Sequence, residues 1–171
     1  MKQFLKNRPV KILLIILAVV AGFACVGWLY YESQRPNYND LQKAYNQLEI
    51  PNDWKLESQS DNKGTWGKFC WQIGGESCPY LQAEFKRNPV TSQSEVSKII
   101  MDIGDTLSAQ SYTVNANSYQ KCSEKEFNEQ TYTCSISGVK NGIEVYYSID
   151  AVNSKGIKGD FAHISVSPYG D

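Results

Sequence analysis

Residues 12–31 read ILLIILAVVAGFACVGWLYY, an apolar run that contains no charged residue. In an α-helix, about 20 residues at 1.5 Å each cross the roughly 30 Å hydrocarbon core of a bilayer. The run therefore predicts a transmembrane helix. Everything that follows it must then fold on one side of a membrane, which decides how the charges and cysteines are interpreted.

The residues beside this run predict its orientation. Residues 1–11 carry four positive charges and no negative one. Positive charge next to a spanning helix holds that end in the cytoplasm. Trp28, Tyr30 and Tyr31 gather at the other end, where amphipathic rings suit the headgroup layer. We therefore expect a single-pass plasma-membrane protein with a basic cytoplasmic N-terminus and the rest of the chain outside.

Two alternatives use the same apolar residues. A cleaved signal peptide has a shorter apolar region, typically about 7–15 residues, followed by a small-residue cleavage site. A lipoprotein signal would be lipidated at Cys25, but the preceding Gly22-Phe23-Ala24 departs from the usual Leu-small-small pattern. The length of the run favours an uncleaved signal anchor. All three interpretations place the remainder outside the cytoplasm.

Composition predicts a linker and then one folded domain. Residues 32–39 (ESQRPNYN) are polar and form the expected linker, and residues 40–171 suffice for a single domain with a real core. The part beyond residue 31 carries 13 of the 17 positive charges and all 18 negative ones, a net charge of −5. A basic face for nucleic acid is therefore not expected. The expected partner is an envelope or membrane protein.

The cysteines predict a disulfide-bonded domain. Four of the five cysteines follow the apolar run, and an even number outside the cytoplasm indicates two disulfides. Four cysteines allow three patterns of pairing, and we favour the pattern in which each bond closes a short local loop. These are Cys70–Cys78 and Cys122–Cys134. Neither pair has the Cys-x-x-Cys spacing of redox or zinc sites, so neither a metal nor a cofactor is predicted.

Hydrophobic periodicity predicts two helices after the linker. Leu41, Ala44, Tyr45 and Leu48 form one apolar face, with Asn39 or Asp40 as the cap and Pro51 as the terminator. The second helix follows the capping-box spacing of residues 92–95. Its apolar residues recur every three or four positions: Val96, Ile99, Ile100, Ile103 and Leu107.

Alternating polarity predicts seven strands, three between the two helices and four after the second. They span residues 54–58, 66–73, 80–87, 111–119, 131–139, 143–152 and 161–167. Gly74-Gly75 is typical of a hairpin turn between the second and third strands, and Asn141-Gly142 of a tight turn between the fifth and sixth. We expect an α+β domain, an antiparallel sheet with two helices on one face, which could be a duplicated αβββ unit.

Two groups were weighed for chemistry, and no catalytic residue is predicted from either. His163 is the only histidine, and the sequence around it carries no nucleophile motif. Glu124, Glu126 and Glu129 could offer oxygens to calcium, but the EF-hand spacing is absent. Both groups are more simply explained as structural or solvated residues.

Aromatic residues are the best candidates for contact with a partner. Trp66, Trp71, Tyr146 and Tyr147 lie at strand positions, and Trp and Tyr are enriched at protein interfaces. Adjacent Tyr146 and Tyr147 must point to opposite faces of a strand. The sequence thus favours a non-enzymatic, membrane-anchored binding or accessory protein. The alternatives are a small envelope hydrolase and a lipoprotein anchored through Cys25.

Overall fold

A computed structural model describes residues 8–64, 78–89, 93–115, 132–151 and 161–169. These residues contain three helices and one six-stranded antiparallel sheet, an α+β architecture. The helices are α1 (Arg8–Ser33), α2 (Tyr38–Asn46) and α3 (Gln93–Ala109). The strands are β1 (Lys55–Asn62), β2 (Tyr80–Lys86), β3 (Thr113–Val114), β4 (Tyr132–Lys140), β5 (Ile143–Ala151) and β6 (Phe161–Pro168). The chain divides into two compact units, Met1–Arg35 and Pro36–Asp171.

The predicted apolar helix is present as α1. Within it, Pro9–Tyr31 is long and apolar enough to span a membrane, with a mean hydropathy of 2.8. Length and composition alone establish this, and a signal sequence near an N-terminus meets the same criterion. Four residues, 34–37, separate α1 from α2, where the sequence suggested a linker of eight.

The N-cap of α2 lies two residues before Asn39, the earlier of its two predicted caps. Asn37 is the N-cap, and its side chain accepts a hydrogen bond from the backbone N–H of Asp40 at 3.1 Å. The Asp40 carboxylate accepts in return from the Asn37 backbone N–H at 2.9 Å. This reciprocal pair is a capping box. The prediction of Asn39 or Asp40 as the cap is wrong, because Asp40 occupies the third helical position instead.

The apolar faces of α2 and α3 are buried as their periodicity predicts. Leu41 and Ala44 of α2 are buried, as is Leu48 just beyond it. In α3, Ile99 is partly buried and packs against the core. The other four apolar positions of that helix are at most 6 % exposed: Val96, Ile100, Ile103 and Leu107. Together they join one continuous core with the sheet.

The strand order is β1-β2-β6-β5-β4-β3. The last strand in the chain, β6, therefore lies between β2 and β5. β2 pairs with β1 along one edge and with β6 along the other. Neither edge of β2 is therefore left for residues 66–73. The expected hairpin of residues 66–73 with 80–87 is wrong in this respect. Residues 66–73 lie outside the described part of the chain, so the duplicated αβββ unit stays a prediction.

The first strand differs from its prediction. Residues 59–62 continue β1 beyond residue 58, where the predicted strand ends. Leu56, an apolar residue of this predicted strand, is 54 % exposed rather than buried. The reason is position: β1 is an edge strand, and its register with β2 shifts between Leu56 and Ser58. A bulge of this kind bends an edge strand and breaks strict alternation.

The predicted hairpin around Asn141-Gly142 is confirmed. Strands β4 and β5 pair along their full lengths, from Tyr132 opposite Ala151 to Lys140 opposite Ile143. Asn141 has φ 53° and Gly142 has φ 73°. Positive φ at both central residues matches the twist of the flanking strands.

The two faces of the sheet differ sharply. One face carries the apolar residues of β2, β4, β5 and β6 and packs against α2 and α3, for example where Leu107 approaches Gly138. The opposite face carries polar and aromatic residues at the alternate positions. Its residues in the central strands are Tyr80, Gln82, Glu84, Ser135, Ser137, Glu144, Tyr146, Ser148, His163, Ser165 and Ser167.

Candidate functional site

The structure places the two predicted contact tyrosines differently. Tyr146 is 41 % exposed and Tyr147 is 2 % exposed, as alternation along β5 requires. Tyr147 is therefore corrected from a contact residue to a core residue, because its side chain points towards α2 and α3. Of the predicted contact aromatics, Tyr146 alone stays accessible within the described chain. Trp66 and Trp71 lie outside it.

Burial dominates the chemistry of Tyr147. Desolvation strongly raises the pKa of its hydroxyl, and the nearby Tyr112, Tyr45 and Glu49 raise it further. Burial also raises the pKa of the Tyr45 and Tyr112 hydroxyls. These three tyrosines from α2, β5 and the approach to β3 therefore stay protonated and neutral inside the fold.

His163 lies on the polar face of the sheet, in a row with an acid and a hydroxyl. Its register partners are Glu84 in β2 and Ser148 in β5. These are the residue types of a nucleophilic triad. However, Ser148 is only 6 % exposed, and Ser58 Oγ donates to Glu84 Oε2 at 3.2 Å. The row therefore does not offer an accessible nucleophile.

The predicted cysteine framework is only partly within the described chain. Cys78 and Cys134 are disulfide-bonded, whereas Cys25 in α1 is a free thiol. No disulfide has both of its cysteines among the described residues, because Cys70 and Cys122 lie outside them. The predicted pairing therefore stays a prediction. Glu124, Glu126 and Glu129, weighed for calcium, lie outside the described residues as well.

A cleft lies on the helical side of the domain. One wall is the segment that follows α2, residues 49–54. The other wall is one stripe of α3, formed by Ile99, Asp102, Ile103 and Thr106. These four residues have the i, i+3, i+4, i+7 spacing of a single helix face. We call this concavity the α3 cleft; its volume is about 490 Å³, within the usual range of ligand sites.

Specific contacts hold the two walls of the α3 cleft. Gln110, just beyond α3, donates a side-chain hydrogen bond to the carbonyl of Gln47 at 3.1 Å. In the loop wall, the Trp54 backbone N–H donates to the Pro51 carbonyl at 3.0 Å. The Trp54 ring is buried and packs against Phe85 and Tyr147, at centroid distances of 5.8 and 6.3 Å. The cleft is thus built on the core.

The α3 cleft has an apolar floor and an acidic rim. Ile50, Pro51, Trp54, Ile99 and Ile103 contribute apolar surface. The rim carries three exposed carboxylates, Glu49 and Asp53 on the loop wall and Asp102 on α3. None of the lining residues is a lysine or arginine.

The rim carboxylates are not neutralised by the described part of the protein. No ion pair or hydrogen bond joins the carboxylate of Glu49, Asp53 or Asp102 to another described residue. Within the same residues, no group of three His, Cys, Asp or Glu side chains is close enough to hold a metal ion. The three negative charges are therefore spread around the rim rather than focused on one point.

The residue set of the α3 cleft suits binding better than covalent catalysis. Its lining includes no Ser, Cys, His or Lys side chain, which are common nucleophiles and bases. Its one hydroxyl, that of Thr106, donates to the Asp102 backbone carbonyl at 2.9 Å. His163 is on the opposite face of the sheet, so the structure does not bring it together with these carboxylates.

Sequence reasoning missed the α3 cleft. Its walls are about 50 residues apart in the chain and meet only through packing on the sheet. The signal that was present is small: Asp102 interrupts the apolar stripe of α3 between Ile99 and Ile103.

Comparison with known proteins finds no protein family, characterised protein or solved structure that matches this chain.

Proposed function

We propose that this protein is a membrane-anchored, extracytoplasmic binding protein of the cell envelope, and that its partner is held in the α3 cleft. The observation that carries this proposal is the combination of an apolar floor with three carboxylates that no described residue neutralises. Apolar surface supplies affinity when it is covered, and fixed charges select the partner. A cleft that is lined by no Ser, Cys, His or Lys favours holding a partner over transforming it.

The proposed location is supported by the first compact unit and by the cysteines. α1 is long enough to span a bilayer, and the basic residues before it favour a cytoplasmic N-terminus. Disulfide-bonded Cys78 and Cys134 suit an oxidising compartment. The intact mass of the protein from native membranes tests the anchor. The mass of the complete chain is expected, whereas a shortened chain with a lipid on Cys25 would identify a lipoprotein.

Site-specific photo-crosslinking in intact cells tests the binding surface. Asn52 lines the α3 cleft and is exposed, so a photoreactive phenylalanine there would sit beside a bound partner. The matched control is the same replacement at Tyr146, which is exposed on the opposite face of the sheet. We expect a discrete adduct from position 52 and none from position 146. Adducts from position 146 alone, or from neither position, would contradict the proposal.

The acidic rim also gives a second candidate, a small envelope hydrolase. Pairs of carboxylates perform glycoside hydrolysis, one as acid and the other as base or nucleophile. The full-length protein would be incubated with purified envelope glycan, and the release of reducing ends measured. Release that is lost in Asp102→Asn and retained in His163→Ala would favour the hydrolase and assign it to the cleft.

A further inference from the structure

We propose that the occupant of the α3 cleft is a protein segment in which basic residues flank an apolar one. This inference rests on the proposed function and specifies its partner. The apolar floor calls for at least one aliphatic or aromatic side chain. The rim calls for positive charge, since the cleft presents Glu49, Asp53 and Asp102 with no lining cation.

The three carboxylates are not close enough together to bind one metal ion. Because the described residues hold no cluster of acidic side chains close enough for a metal ion, a single point charge cannot contact all three carboxylates. Glu49 and Asp53 are on the loop wall and Asp102 is on the helix wall, with the apolar floor between them. A ligand that meets this arrangement needs separated positive charges on either side of an apolar group.

Lysine and arginine side chains suit such a cleft. Their aliphatic stems cover apolar surface, here Ile50 and Ile99, while the charged heads reach the rim. The volume of about 490 Å³ accommodates a few side chains rather than a whole domain. An anionic lipid surface has the wrong sign for this rim. A short basic and apolar peptide segment is therefore the occupant that the charge and shape favour.

Peptide selection on the full-length protein tests the inference. The protein would be embedded in nanodiscs of zwitterionic lipid and screened against a displayed library of random heptapeptides. We expect enriched peptides to place Lys or Arg on both sides of a Leu, Ile, Phe or Trp. Binding of one enriched peptide is then measured by fluorescence polarisation at 0.05 and 0.5 M salt. Added salt should weaken it, because the rim charges are exposed.

Matched triple variants assign the binding to the rim. We expect E49Q/D53N/D102N to bind at least about tenfold more weakly. The control E57Q/D105N/E144Q removes three carboxylates that do not line the cleft and should stay within about twofold. Replacing the basic residues of the peptide by Gln should give the same tenfold loss, and this test does not depend on how a protein variant folds.

Two further outcomes separate the inference from the proposed function. Asn52→Trp places a large side chain in the cleft mouth. Enriched peptides that lack basic residues, but no longer bind Asn52→Trp, would overturn the basic-segment inference and leave the cleft as the binding site. If no enriched peptide loses binding in Asn52→Trp or in E49Q/D53N/D102N, both the basic-segment inference and the proposed function are overturned.

Discussion

Trp54 packs against Tyr147 with ring centroids 6.3 Å apart and ring planes inclined at 59°. The first residue belongs to the loop wall of the α3 cleft, and the second lies at the centre of β5. The same indole contacts Phe85 of β2 at 5.8 Å. The wall of the proposed binding site is therefore continuous with the packed interior of the sheet, so the shape of the cleft depends on core packing.

Removing the Trp54 side chain should destabilise the domain severely. The ring is 7 % exposed, and Trp→Ala at a buried site costs about 3–5 kcal/mol in the free energy of unfolding. Urea denaturation followed by circular dichroism measures the change. Leu56→Ala, two residues away and 54 % exposed, is the control and should cost about 0.5 kcal/mol or less. Equal losses in the two variants would show that Trp54 is not part of the core.

Stability should fall at high pH because of Tyr147. Its pKa is raised above the ordinary value of 10.0 by burial, so the folded state keeps a proton that the unfolded chain releases. By linkage, the stability that the protonated Tyr147 contributes is fully present below pH 10 and is lost as pH rises from 10 through the raised pKa. Tm measured from pH 8 to 11 should fall less steeply in Tyr147→Phe. Tyr146→Phe, on the exposed side, should retain the wild-type slope; identical slopes in all three proteins would refute this.

The turn between β4 and β5 should tolerate Asn141→Gly but not Gly142→Ala. Gly142 has φ 73°, where a Cβ is strained, so Gly142→Ala should cost about 1–2 kcal/mol. Asn141 also has a positive φ, and Asn141→Gly relieves it at a small entropic cost, with little net change expected. Thermal unfolding of both variants checks this. A neutral Gly142→Ala would mean that the turn relaxes freely.

The register of the sheet restricts the disulfide pairing. Cys134 lies opposite Ile149, Ile149 opposite Ala162, and Ala162 opposite Phe85. Cys134 is thus three strands away from β2. Cys78 precedes Phe85 by seven residues, about 20 Å along the chain. A disulfide needs Cα atoms within about 7 Å, so a Cys78–Cys134 bond is excluded.

Non-reducing peptide mapping should accordingly find no peptide that joins Cys78 to Cys134. We expect the two local bonds, Cys70–Cys78 and Cys122–Cys134. A cross-linked peptide containing Cys78 and Cys122 would contradict the local pairing while leaving the sheet register intact. Free thiols at all four positions would contradict the extracytoplasmic placement itself.

Local signals predicted the elements that repeat a strong pattern. The 3.6-residue period from Val96 to Leu107 defines α3, and Asn141-Gly142 defines the hairpin of β4 and β5. In both cases one short stretch carries all the information that the element needs. The lone apolar face beginning at Leu41 likewise located α2, although the capping residue was two positions further upstream, at Asn37.

Long-range features could not be predicted in this way. Residues 58–62 form an edge strand that is exposed on both faces, so they carry no alternation to detect. The pairing of β2 with β6 depends on which strands meet in space, and no local pattern encodes that. The α3 cleft needs the loop at Pro51 and the helix at Asp102 to pack side by side, which is again a property of the assembled sheet.

The central position of β6 has a consequence for the order in which the fold can form. Among the described strands, β1 and β2 are connected to β3, β4 and β5 only through β6, which is synthesised after the other five. Until Phe161–Pro168 has emerged, no strand joins the two groups in the sheet, and Leu81 and Val145 lack the Val166 that lies between them. The described sheet can therefore close only after residues 161–168 have been synthesised. A chain truncated before residue 161 would keep both groups of strands in one polypeptide but would leave them without β6 between them, and we expect quality-control proteases to degrade it.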